Sequence, residues 1–285
     1  LRAAHDAGIV RAMLRSILLA LDDTPGALAA RDLAFALARE TGAALTAAIV
    51  LDAPHTRDLA EPVPLGAGAF ASHRNAKLAQ AVEQEAEQVL AAARAAGQDL
   101  RFEVVRREEA PEEALLAEGA RHDLIVIGRD STLGREACED GLSPCIEALI
   151  ADGVRPLLVV PPGFAPDAAG PVLLGYRATA AAMRTVQLFA LLGLGRAGEV
   201  KLLDFSPEGR AGPGIAGYLA RHGCAASAAA AEGDEHDILL AEARSLPARL
   251  LVLGAEEEGR LARLILGSAT ARLLRAAPCP VFIHG

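Results

Sequence analysis

The residues with the clearest chemical potential are glycines and hydroxyls placed just beyond aliphatic runs. In GAEEEGRLARLILGSAT, which starts at Gly254, a glycine leaves an apolar run, a polar loop follows, and Gly267-Ser268-Ala269 opens a new helical pattern. Gly267 lets backbone approach a ligand closely. Ser268 and the N–H groups after it stand at a positive helix end, an arrangement that holds phosphate. The same residues also make an ordinary helix cap. An earlier stretch is a weaker version, with Gly128-Arg129 after an apolar run and Gly141-Leu142-Ser143-Pro144 before a helix. Pro144 has no N–H, which removes one phosphate donor, and Arg129 and Arg135 are the cations near enough in sequence to replace it. Upstream, Asp22-Asp23-Thr24-Pro25 follows the first apolar run and supplies an N-cap and a helix-starting proline. Glu256-Glu257-Glu258 sets negative charge beside the second phosphate candidate, a repulsion that Mg²⁺ or Arg260 and Arg263 would have to offset.

Other chemistries lack their residues. Cys138, Cys145, Cys224 and Cys279 form no CxxC pair and read as reduced thiols. The seven histidines are scattered, with no metal-ligand spacing, so no metal site is expected. The pair Asp22-Asp23 is also found in phosphorelay receivers. Those need an Asp after the third strand and a Lys after the fifth, where this chain has Val105-Arg106-Arg107 and Val160-Pro161. Neither GxGxxG after a first strand nor GxSxG is present. The net charge is −9 with no basic stripe, which argues against nucleic acid as a partner. No apolar run approaches the roughly 20 residues of a membrane span. Residues 1–12 lack the apolar block of a signal peptide and read as a leader or remnant, so a cytoplasmic location is expected.

The candidate residues are positioned by alternating strand and helix patterns. Aromatics are 3% of the chain against 52% hydrophobic residues, so the core is built from Ala, Leu, Val and Ile, as in buried parallel strands under Ala-rich helices. The first half reads as strands at Ser16–Leu21, Ala44–Leu51, Arg101–Val105, Asp123–Gly128 and Pro156–Val160. Helices fall at about Ala27–Thr41, Arg74–Ala96, Pro111–Ala120 and Pro144–Ala151. The second half repeats the order, with strands at Val172–Tyr176, Glu199–Asp204, Cys224–Ala230, Arg249–Gly254 and Pro280–Ile283. Its helices follow Ala180, Gly214, Asp234 and Ser268. ALLAEGA from Ala114 matches ILLAEAR from Ile238, and DLIVIG matches RLLVLG. The expected domains are 13–162 and 171–285, joined by the Pro- and Gly-containing linker Pro161–Gly170. The fold class is α/β: two tandem doubly wound five-stranded parallel-sheet domains, each with its own core. Ligands in such sheets bind past the carboxyl ends of strands, where the strand order reverses.

The run GAEEEGRLARLILGSATARLLRAAPCPVFI resembles the C-terminal signature of the universal stress protein family, and ILLALDDT resembles that family's opening strand. ATP-binding members carry Gly, two residues, Gly, nine residues, then Gly-Ser or Gly-Thr. Here that gives Gly254, Glu257 in place of the second glycine, Gly267 and Ser268. In the first copy Ser131 stands where the second glycine would be, and in the second copy Tyr176 or Arg177 stands in the place of Asp22. The resemblance implies a stress-response binding and signalling protein with ATP or AMP as ligand, Mg²⁺ as counter-ion, and degenerate motifs in both copies. The nucleotide-binding set it implies is Asp22, Thr24, Gly128, Arg129, Gly141, Ser143, Gly254, Gly267, Ser268 and Ala269. It also implies a pseudo-dimer within the chain through the last strands or neighbouring surfaces, and a homodimer of such chains. The alternatives are a nucleotide-independent scaffold that recruits a protein partner and, last, a slow ATPase. Binding is favoured over catalysis because no residue is placed as a catalytic base.

Overall fold

The run SILLA is apolar on both sides of its pleat, which suits a strand covered by helices on both faces. The computed structural model describes residues 13–51, 68–135, 139–153, 155–166, 169–255 and 268–285. The first copy contains β1 (Ser16–Ala20), α1 (Pro25–Thr41), β2 (Ala44–Val50), α2 (Gly68–Ala96), β3 (Phe102–Arg107), α3 (Pro111–Gly119), β4 (Leu124–Gly128), α4 (Pro144–Asp152) and β5 (Leu157–Val160). The second contains β6 (Val172–Tyr176), α5 (Ala180–Leu192), β7 (Glu199–Asp204), α6 (Gly212–Arg221), β8 (Ala225–Ala230), α7 (Glu235–Ser245), β9 (Leu250–Gly254), α8 (Ser268–Ala276) and β10 (Val281–His284). Helix α2 starts six residues before the Arg74 expected from the sequence. Helix α1 starts at Pro25 because Thr24 accepts a hydrogen bond from Ala27 N and Pro25 needs no donor partner in the first turn.

Each copy contributes five mutually parallel strands, as expected. The sequence reading of two separate sheets with separate cores is corrected by the structure. The strands form one ten-stranded sheet in the order β3-β2-β1-β4-β5-β10-β9-β6-β7-β8. The join is the antiparallel pairing of β10 with β5, which sets Val281 against Val159, Phe282 against Leu158 and Ile283 against Leu157. The physical reason is that each last strand ends its copy as an aliphatic edge, and pairing removes both edges at once.

Side-chain alternation then divides the interior into two layers that both run through both copies. Ile17, Leu19 and Phe35 share one layer with Leu174, Phe189 and Phe282, under α1, α2, α5 and α6. Leu18, Ile127 and Leu149 share the other with Leu173, Leu251 and Leu274, under α3, α4, α7 and α8. Polar ties reinforce the seam. Met13 N donates to Leu191 O at 3.0 Å, and Arg275 Nε donates to Asp140 Oδ2 at 2.8 Å. Cys145, Cys224 and Cys279 are free and buried, and burial pushes their thiols up, Cys279 to about 12. Cys138 lies outside the described residues. Among the described residues no helix is long and apolar enough to cross a membrane, and no group of three or more His, Cys, Asp or Glu could hold a metal ion.

Two outcomes follow for stability. Phe282 is fully buried and meets the Phe189 ring edge-on at 6.0 Å. Phe282→Ala should cost about 3–5 kcal/mol. Because its layer spans both copies, circular-dichroism melts should show one common transition moving down; two separated transitions would contradict the shared core. Glu118, 4% exposed, accepts from Arg107 Nη2 and Arg121 Nη2, each at 2.6 Å. Burial raises its pKa, but the two guanidinium groups outweigh burial and leave it below the ordinary value of 4.5. A depressed folded pKa means this stabilisation is complete above the ordinary glutamate range and is lost as pH falls through the folded value. Glu118→Gln should therefore lower stability by about 1–3 kcal/mol at neutral pH. Denaturant melts at a series of pH values should show that gap closing below pH 4.5.

Candidate functional site

In each copy the strand order reverses between the first and fourth strands, β1/β4 and β6/β9. Strands β5 and β10 run antiparallel, so the two switch points open at opposite ends of the sheet.

At the first switch point, Asp22 lies just past β1 and is 6% exposed. Its Oδ1 accepts from Thr24 N at 3.0 Å and from Thr24 Oγ1 at 2.7 Å. Its Oδ2 accepts from Thr132 N at 2.8 Å and Leu133 N at 3.1 Å. Four donors use up the acceptor capacity of a carboxylate. Burial pushes the Asp22 carboxyl up, and these donors only partly offset it. Asp22 thus fastens the loop after β4 to the turn before α1. Thr24, held by Asp22, in turn accepts from Ala27 N at 3.2 Å and caps α1.

The N-terminus of α1 has a second carboxylate on it. Gly26 N donates to Asp130 Oδ1 at 2.9 Å. A carboxylate there is favourable for the same reason that a phosphate would be. More negative charge stands close by. Glu85 of α2 is pushed up first by burial and then by Asp23, to which it is hydrogen-bonded, and by Asp22.

The remaining first-copy candidates have structural duties. A Cβ on Gly128 would lie 2.3 Å from Ala27 N, so this glycine admits the close crossing of β4 and α1. Arg129 Nη1 donates to Ala277 O at 3.0 Å, across the seam to the end of α8, and burial lowers its pKa. Arg135 is paired with Glu112. Gly141 has φ of +69° and open space around its Cβ position, so its backbone angle accounts for it. Ser143 starts α4, its N bonded to Arg129 O at 2.8 Å, and its side chain makes no cap hydrogen bond. Pro111, Ser131, Thr132, Arg135, Ser143, Pro144 and Cys145 line a cavity of about 30 Å³. That is room for one or two water molecules, whereas ligand pockets hold roughly 300–1,000 Å³. Ser131 Oγ is buried there without a protein partner. Among the described residues of the first switch point, Asp22 is saturated by its donors, Asp130 lies on the N-terminus of α1, and Asp23 and Glu85 add negative charge around the turn.

The second switch point differs residue by residue. Thr179 caps α5 by accepting from Ala182 N at 3.2 Å, as Thr24 caps α1, which places Arg177 where the first copy has Asp22. The Arg177 guanidinium lies 5.8 Å from the centre of the Phe205 ring, and its Nε donates to Glu235 Oε2 at 3.3 Å. A Cβ on Gly254 would come within 2.6 Å of Ala182 N, repeating the close crossing of the first copy. Helix α8 begins at Ser268 and Ala269 is half-buried. Gly267 and Glu256–Glu258 lie outside the described residues; among the described ones, Arg177 follows β6, Gly254 ends the neighbouring β9, and Thr270 Oγ1 of α8 lies 3.2 Å from His236 Nε2.

Two residues that matter here were missed from the sequence. Asp130 was legible as an acid two residues beyond the glycine that ends β4, where it meets a helix start. Asp204, at the end of β7, is 1% exposed and accepts from Ser206 N at 2.9 Å and Gly212 N at 2.5 Å, fixing the start of α6. Its signal was an acid at a strand end followed by a Gly-Pro-Gly helix start.

A family model described as the universal stress protein family matches residues 13–161 and 173–284. A search of curated proteins returned no match. Among solved structures, a universal stress protein from Archaeoglobus fulgidus DSM 4304 is similar at 17% identity and TM-score 0.63, with 94% of this chain and 95% of that chain covered. A functionally unknown protein from Pseudomonas aeruginosa PAO1 is similar at 15% identity and TM-score 0.53, with 95% and 92% covered. At these identities the structures speak to the fold, while the two family-model matches span nearly the whole chain. The chain belongs to the universal stress protein family and carries two of its domains in tandem, paired within one molecule.

Proposed function

We propose that this protein is a stress-response binding and signalling protein whose first copy is a nucleotide-independent scaffold for a protein partner. The observation that carries the reading is the double carboxylate closure of the first switch point. Asp22 holds four donors and Asp130 occupies the N-terminus of α1. A triphosphate there would have to displace Asp130 from a site equally suited to it and sit among Asp22, Asp23 and Glu85, with Arg129 as the neighbouring cation. Catalysis finds no support in Asp22, the buried acid of this turn, whose two oxygens are taken by Thr24, Thr132 and Leu133.

A second reading places ATP or AMP at the second copy, and Arg177 favours it. The substitution of Asp22's counterpart by a partly exposed guanidinium reverses the sign of charge at that switch point. Arginine forks suit phosphate, and the start of α8 supplies backbone donors. Mg²⁺ would serve there only to offset the acidic run after Ala255.

Titration calorimetry with ATP separates these readings. The scaffold reading expects no heat from the parent protein. Binding of one ATP per chain that is lost in Arg177→Ala and kept in Asp22→Ala would move the function to the second copy. Binding lost in a folded Asp22→Ala variant would overturn the proposal. Asp22→Ala also leaves the half-buried Thr24 and Thr132 N–H groups and the buried Leu133 N–H unpaired. It should therefore lower stability by about 2–5 kcal/mol in urea melts, whatever its effect on nucleotide.

A further inference from the structure

The helix starts of this fold are capped unequally. Side chains of Thr24, Thr179 and Asp234 each accept a backbone N–H at the starts of α1, α5 and α7. Ala110 before α3 and Ser143 before α4 make no such bond. The internal repeat shows what α3 lacks. With Ala114 aligned on Ile238, Ala110 stands where the second copy has Asp234, whose Oδ1 accepts from Asp237 N at 2.9 Å. The second copy supplies a carboxylate at this corner, and the first copy has a methyl group.

The two uncapped starts meet at one cavity. Pro111 and Pro144, the first residues of α3 and α4, both line the space of about 30 Å³. Ser131 lines it too. It is 2% exposed, and its Oγ is buried with no hydrogen-bond partner. A buried hydroxyl left unpaired costs the full desolvation of the group, so this one points to an occupant. The other described lining residues are Thr132, Arg135, Ser143 and Cys145, and none is an acid. Burial, and then Glu112, push the Cys145 thiol up, so it carries no charge at neutral pH. A cation would therefore find no carboxylate among these groups. A negative charge would find two positive helix ends, hydroxyl donors and the Arg135 guanidinium. Space for one or two water molecules admits a monoatomic anion and is too small for a phosphate group. We propose that this cavity binds one halide ion, chloride, held by the Ser131 hydroxyl between the starts of α3 and α4. The ion does for the first copy what Asp234 does for the second. It is separate from any nucleotide, and it holds the loop after β4 by its side chains while Asp22 holds the Thr132 and Leu133 N–H groups.

Thermal melts of the full chain test this, with sodium gluconate replaced stepwise by sodium chloride at constant ionic strength. The parent should gain stability with chloride along a saturable curve, because a ligand of the folded state alone stabilises it by mass action. Ser131→Ala removes only the unpaired hydroxyl, so it should melt no lower than the parent in gluconate. Its half-saturating chloride concentration should rise at least about tenfold, as expected for a lost hydrogen bond to a charged group. Ala110→Asp supplies the carboxylate of the second copy; it should raise the melting temperature in gluconate and abolish the gain from chloride. Chlorine NMR gives a direct readout: the parent should broaden the chloride line, bromide should compete the broadening away, and both variants should lack it. Identical parent melts in the two salts would mean that water fills the cavity and would overturn the proposal. A chloride gain in Ser131→Ala or Ala110→Asp equal to that of the parent would also overturn it.

Discussion

The antiparallel pairing of β5 with β10 governs how the rest of this molecule is arranged. Three register pairs, Val281–Val159, Phe282–Leu158 and Ile283–Leu157, place two aliphatic strand ends where each would otherwise be a sheet edge open to water. Because a twofold perpendicular to the sheet leaves faces unchanged, the helices that cover one face of the first copy meet those that cover the same face of the second. The result is two apolar layers, each continuous across the seam. Phe282 shows the consequence in one side chain. It belongs to the last strand of the second copy, pairs with Leu158 of the first, and packs edge-on against Phe189. The same antiparallel join sends the two switch points to opposite ends of the sheet, so the two sites share a core and no ligand.

At each of those ends the same geometric problem recurs and is solved with different chemistry. A helix starts where the fourth strand passes close beneath it, close enough that Gly128 and Gly254 have no room for a Cβ. The helix start exposes N–H groups that need an anion or a side-chain oxygen. In both copies a threonine supplies one acceptor, Thr24 to Ala27 N and Thr179 to Ala182 N. The first copy adds Asp130 on Gly26 N and then anchors the threonine itself through Asp22. The second puts Arg177 at the Asp22 position and steadies it on Phe205 and Glu235. The shared backbone and the opposite charges make the copies alike in fold and unlike in what they could hold.

The sequence made the strand and helix order legible because buried parallel strands in this chain are plain aliphatic runs, and the cap residues Thr24, Thr179 and Asp234 mark helix starts directly. The join through the last strands was implied by the family resemblance, but the merging of two sheets and their cores into one was not legible in the local pattern. PLLVV and PVFIH look the same whether the strand ends a sheet or joins another, since the pairing partner is fixed by three-dimensional approach rather than by local pattern. The site was legible in position and not in state. Asp22 was singled out for the place it occupies, but whether a carboxylate faces a ligand or its own backbone depends on Thr132 and Leu133, more than a hundred residues away. Arg129 illustrates the same limit, since its partner is the carbonyl of Ala277 in the other copy.

A carboxylate and a phosphate compete for the same feature of a helix start, its unpaired N–H groups. An acid that reaches the N–H groups from within the chain is held at no cost in association entropy, while a free anion must be recruited from solution. Once Asp130 lies on Gly26 N, the loop after β4 no longer needs a ligand to fix it, and Asp22 becomes free to bind that loop through Thr132 and Leu133. Gly128 and Gly141 each have a backbone reason to be glycine: Gly128 for the close crossing, Gly141 for its positive φ. The second copy has a guanidinium, paired with Glu235, in place of Asp22, and so is chemically distinct from the first.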